Sequence, residues 1–134
     1  MKLITSLLCA TLLINSCAKK QTPDTNTASR AATVVRSGSF IAYLHKASGT
    51  AKITSEQGFR KLYFENFATD SGADMRVYLS KDLTNSDYKD LGALQAISGN
   101  QVYQIDNTTD LNLYKYVLIW CNGQSTLYGS AELN

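Results

Sequence analysis

Proline occurs once in this chain, histidine once, and cysteine three times in 134 residues. The lone proline, Pro23, leaves no room for a Pro-rich recognition segment or a collagen-like repeat. With His45 as the only histidine, a zinc centre built by one chain is not expected: His45 and Cys121 together would still need carboxylate ligands. No Cys-x-x-Cys-His run is present, so covalent haem attachment is not expected. Charge of one sign is also missing. The formal net charge of +2 falls to +1 without residues 1–16, whose one charged side chain is Lys2, and gives no broad field for nucleic acid. Apolar runs never reach the roughly 20 residues that span a bilayer. What remains is a chain that is 44% hydrophobic and 18% charged, with eight tyrosines, the composition of one ordered domain.

The N-terminus carries the clearest signal. Lys2 supplies a positive start, and Leu3 to Ile14 is apolar apart from Thr5, Ser6, Cys9 and Thr11, as in the hydrophobic stretch of an export signal. The segment Leu13-Ile14-Asn15-Ser16-Cys17 resembles the bacterial lipobox, with Asn15 in place of the usual smaller residue. The resemblance implies cleavage before Cys17 and lipidation of its thiol. Several acyl chains, each buried methylene contributing about 0.8 kcal/mol, give lasting membrane anchorage where one chain does not. Residues 1–16 are therefore expected to be a lipoprotein signal peptide. Residues 17–33 follow as the lipidated cysteine and a flexible tether rich in Lys, Thr, Ser, Asn and Ala. By similarity to lipoproteins of Bacteroidetes type, the lack of an acidic run after Cys17 favours the outer membrane facing the periplasm. The membrane, through this lipid, is the first expected partner.

Residues 34–134 read as an all-β, sandwich-like domain of about seven strands. Short apolar or alternating runs are bounded by Gly, Asn, Asp or Ser at Ser39–Lys46, Thr50–Ser55, Arg60–Phe67, Met75–Lys81, Gln101–Ile105, Tyr116–Asn122 and Ser125–Leu133. Tyr116 to Cys121 is apolar on both faces, as expected of a central strand covered on each side. Asn122-Gly123 then predicts a hairpin that pairs the last two strands antiparallel. Alternation places Met75, Val77 and Leu79 inward with Arg76, Tyr78 and Ser80 outward, and sets Leu127, Gly129, Ala131 and Leu133 opposite Thr126, Tyr128, Ser130 and Glu132. Leu83 to Ile97 is interrupted by Ser86-Asp87 and Gly92 and is expected to form loops. Thr108-Thr109-Asp110 is placed to cap a single helical turn.

With the strands laid out, the stretch from about Gly38 to Leu133 resembles the DM13 domain. The runs that carry the resemblance are His45 to Ile53, Leu62 to Phe67, Gly72 to Ser80, Leu91 to Leu94, Ser98 to Gln101, Val117 to Cys121 and Gly129 to Leu133. The chain departs from the family in two turns, at Ile105-Asp106 and at Gly72-Ala73-Asp74, where the family often has proline. The resemblance implies an extracytoplasmic module connected with electron transfer, with Cys121 as its redox group, and no established enzymatic activity.

The residues themselves leave both a functional and an ordinary reading open. Once Cys9 departs with the signal peptide and Cys17 is lipidated, Cys121 is the sole thiol and has no internal disulfide partner. It is either a redox or metal-binding thiol or a small buried hydrophobe on the central strand. Asp70 and Asp74 flank Gly72 and would supply two of calcium's six to eight oxygens, but Asx-turns explain the same residues. His45 with Met75 is a conceivable haem pair, and each residue also has an everyday role; no cofactor is required. Ser48 stands three residues from His45 with no acid at a defined position, so no catalytic constellation is legible. The competing function is a binding or structural module for glycan, peptide or a partner protein, presenting Tyr63, Tyr78 or Tyr128.

Overall fold

The computed structural model describes residues 31–134; the expected signal peptide, Cys17 and the tether up to residue 30 lie outside the described residues. The domain is all-β. Its strands are β1 (Thr33–Ala42), β2 (Ala47–Glu56), β3 (Phe59–Thr69), β4 (Met75–Ser80), β5 (Tyr88–Ala93), β6 (Ser98–Ile105), β7 (Tyr116–Cys121) and β8 (Thr126–Glu132). Their spatial order is β5-β4-β7-β8-β1-β2-β3-β6, and neighbouring strands run antiparallel throughout.

One strand turns this sheet into a sandwich-like, nearly closed body. The first part of β1 pairs with β2 from Thr33 to Ser39, and its last three residues pair with β8, Phe40 opposite Ala131 and Ala42 opposite Gly129. β1 thus belongs to both layers. Gly38 sits at the crossing because nothing larger fits there: a Cβ would fall 1.9 Å from the carbonyl oxygen of Glu132. Ser37 and Asn134 bond each other's backbone in both directions at the same level. At the far side, the link between the two edge strands ties the layers together. Leu94 N–H donates to the Met75 carbonyl at 2.8 Å, and Thr69 N–H donates to the Ile97 carbonyl at 2.8 Å.

The core follows from alternation. Ala51 and Ile53 of β2, Leu62 and Phe64 of β3, Val77 and Leu79 of β4, and Val117 and Ile119 of β7 are fully buried between the layers. Phe64 touches the rings of Phe40 and Phe67, each at 4.9 Å between centroids, and of Tyr103 at 5.2 Å. β7 lies between β4 and β8 with Val117, Leu118 and Ile119 all buried, as its two-sided apolar run predicts.

Five sequence expectations need correction. The stretch expected to be loops contains an eighth strand, β5, whose residues are exposed or half-buried and which pairs only with β4. β1 starts at Thr33 rather than Ser39, and β6 at Ser98 rather than Gln101, because pairing extends along exposed or half-buried residues, Val34 and Val35 among them, that do not alternate apolar with polar. Tyr78, expected outward, is buried: its ring packs at a tilt against Tyr88 of β5, with centroids 4.1 Å apart, and its hydroxyl donates to Asn122 Oδ1. Tyr128 is fully buried because β8 carries a bulge, with Ile119 opposite Gly129 but Trp120 opposite Leu127. The extra residue breaks strict alternation and turns the phenol inward. Tyr63 alone of the three is half-buried. At Asp110, the expected helical turn is present: the side chain accepts from Asn112 N–H and the carbonyl from Tyr114 N–H. The β7–β8 connection is a short 3-10 turn, Asn122–Gln124, closed by Ser125 in the left-handed conformation.

Candidate functional site at the Cys121 end

Cys121 ends β7 and Met75 begins β4, and the register makes them direct cross-strand neighbours. The β8 bulge delivers Tyr128 to the same spot. Over all three lies the connection from β3 to β4, Asp70 to Asp74. A Cβ built on Gly72 would fall 2.7 Å from Met75 Sδ, 2.8 Å from Tyr128 Oη and 2.9 Å from Cys121 Sγ. Only a glycine lets the loop lie this close. The Cys121 thiol, fully buried, donates to the Ala73 carbonyl at 3.2 Å. The Tyr128 hydroxyl donates to Gln124 Oε1 at 3.1 Å and reaches the Ser71 carbonyl at 3.5 Å.

Polar contacts pin the loop at both ends. Asp70 Oδ2 accepts from Lys46 N–H at 2.9 Å, and Thr69 Oγ1 donates to the Lys46 carbonyl at 2.7 Å. Asp74 Oδ2 accepts from Asn122 Nδ2 at 2.8 Å, and Asn122 N–H donates to the Asp74 carbonyl at 3.0 Å. The two carboxylates therefore serve opposite ends of one loop, as turn residues do. Among the described residues, no group of three or more His, Cys, Asp and Glu side chains is arranged to hold a metal ion.

His45 closes the array from outside. Its ring stacks on Tyr128 with centroids 3.8 Å apart and an interplanar angle of 19°, and Nδ1 stands 3.7 Å from Asp70 Oδ2. About a third of the imidazole side chain remains exposed, so the stack runs from solvent to the phenol that touches the thiol. Burial, and then the adjacent Cys121 thiol, push the Tyr128 phenol above its ordinary ionisation range, so it stays protonated at neutral pH. Tyr78, on the other side of the Asn122 turn, is also raised, by burial first.

The sequence candidates Cys121, Met75, His45 and Asp70 thus meet at one end of the sandwich. Asp74 holds the loop's far end without joining them. Ser48 is exposed in β2 and makes no hydrogen bond to His45 among the described residues. Two residues of the array escaped the sequence reading. Gly72 read as an ordinary turn glycine, and Tyr128 read as an outward aromatic because a bulge leaves no mark in the alternation.

Fold and site define a class: a small antiparallel sandwich-like domain with a thiol sealed at one end beneath a glycine loop and backed by a buried phenol. The sequence pattern of the family described as "Electron transfer DM13" matches residues 39–133, which takes in the last part of β1, all of β2 to β8 and the whole Cys121 array. The chain belongs to the DM13 family. No curated protein and no solved structure matches it.

Proposed function

We propose that this chain is a lipid-anchored protein of the bacterial cell envelope whose DM13 domain serves electron transfer through Cys121, in exchange with a partner protein in the periplasm. The observation that carries the reading is the Cys121 array: a thiol screened from bulk solvent, in contact with a buried phenol, and joined by a ring stack to a partly exposed imidazole. Screening protects a thiol from irreversible over-oxidation, and the Asp70–Asp74 loop is the one layer laid over it on the solvent side. In a chain with Cys9 and Cys17 replaced by serine, Cys121 is expected to react with a small thiol reagent by local opening of the Asp70–Asp74 loop. The labelling rate would then be insensitive to low denaturant. A rate that tracks global unfolding would remove Cys121 from the functional reading.

Anchorage rests on the sequence features around Cys17. Replacing Cys17 by serine is expected to move the protein from the membrane fraction to the soluble fraction of the envelope. Retention of the variant in the membrane would overturn the lipid anchor.

A binding module is the second reading, favoured by one observation. The end of β1 and the turn after it expose Ile41 at 62% and Leu44 at 86%, with Tyr43 beside them, as an apolar tip next to His45. This tip, rather than Tyr78 or Tyr128, would meet a partner. A module that only binds needs no reactive Cys121, so the labelling experiment separates the two.

A further inference from the structure

We propose that Cys121, Met75 and Tyr128 form a binding site for a single cuprous ion, a deepening that rests on the electron-transfer reading above. The geometry assigns it. Three side chains from three strands bring Sγ, Sδ and Oη within 2.9 Å of one point, the position that a Cβ on Gly72 would take. All three side chains are more than nine-tenths buried. Met75 is the only methionine after Met1, and its sulfur accepts no hydrogen bond among the described residues while pointing at that spot. A thioether beside a thiol is the donor set of a soft, low-coordinate ion, and such ligands select Cu(I). Zinc is a poorer match, because it takes four ligands and the array offers two sulfurs and a neutral phenol.

Binding is a simple exchange. The S–H bond of Cys121 breaks, its proton passes to solvent, and an S–Cu bond forms, with the Met75 thioether as second ligand. The Tyr128 hydroxyl, which shares the spot with Sγ and Sδ, turns its hydrogen towards the new thiolate. Gly72 now presses on the point where the donors meet, so the loop moves outward to admit the ion. Ser71, Ala73 and Asp74 are already exposed, so the loop moves into solvent, and the Cys121–Ala73 hydrogen bond is given up for the bond to the ion. A copper ion at this place would give the domain a one-electron centre, with the His45–Tyr128 stack leading from it to the surface.

The test uses the full chain with Cys9 and Cys17 replaced by serine, titrated anaerobically with Cu(I) against a chromophoric Cu(I) chelator. One copper per chain is expected, accompanied by a sulfur-to-copper charge-transfer band in the ultraviolet. Cys121→Ser should abolish both signals. Met75→Leu, close in volume and checked for folding by near-ultraviolet circular dichroism, should weaken binding by about 10- to 100-fold. Parent-like affinity in folded Met75→Leu would overturn the site, as would copper uptake no greater than that of Cys121→Ser. If Cys121 labels natively yet holds no copper, this site falls and the thiol-based reading stands; if it neither labels nor binds copper, both fall.

Discussion

Replacing Gly72 by alanine is expected to speed native labelling of Cys121 by about 5- to 150-fold while leaving the strands intact. The added methyl would lie 2.7 to 2.9 Å from Met75 Sδ, Tyr128 Oη and Cys121 Sγ, well inside ordinary contact distance. None of the three can retreat easily. Tyr128 is held against His45, and Met75 and Cys121 are paired in the sheet between the core and the loop. The loop, exposed at Ser71, Ala73 and Asp74, is the part that yields. Overpacking of this kind costs about 1–3 kcal/mol, and charged to the closed state of the loop alone it gives the stated range of rates. Far-ultraviolet circular dichroism should not change. Labelling at the parent rate would mean that Gly72 does not seal the thiol.

Phe64→Ala should cost about 3–5 kcal/mol of stability, a large share of the roughly 5–15 kcal/mol that holds a domain of this size together. Phe64 is fully buried in β3 and its ring meets Phe40, Phe67 and Tyr103. Phe40 belongs to the part of β1 that has crossed to β8, so this contact joins the two layers. Truncation leaves a cavity bordered by three aromatic rings, which close-packed strands cannot fill by collapsing. The urea midpoint is expected to fall sharply with an unchanged slope. A loss below about 1 kcal/mol would show that the layers are held chiefly elsewhere.

How far the sequence could be read depended on what each strand buries. β7 was legible as an interior strand because Val117, Leu118 and Ile119 are apolar on both faces, and it lies between β4 and β8. β5 was not, because Tyr88-Lys89-Asp90-Leu91-Gly92-Ala93 is an edge strand with mostly solvated side chains, and backbone pairing alone leaves no periodic trace. The exposed beginning of β1, where Val34 and Val35 stand side by side without alternation, was hidden for the same reason. The site was half legible. Residue chemistry singled out Cys121, Met75, His45 and Asp70, but their meeting place depends on the cross-strand pair Met75–Cys121 and on the β8 bulge that turns Tyr128 inward. Both are register facts, which sequence alone does not state.

The passage of β1 through both layers also sets the entry of the chain and the thiol at opposite ends of the domain. The described chain enters this strand at Thr33 and leaves it beyond Ala42, where Tyr43 N–H donates to the carbonyl of Tyr128. At about 3.3 Å per residue, that separates the entry point from the thiol end by roughly 30 Å. Whatever grips the protein upstream of Thr33 therefore grips it by the opposite pole. His45 and the Cys121 loop thus stand at the pole of the described domain farthest from the point where the chain enters it.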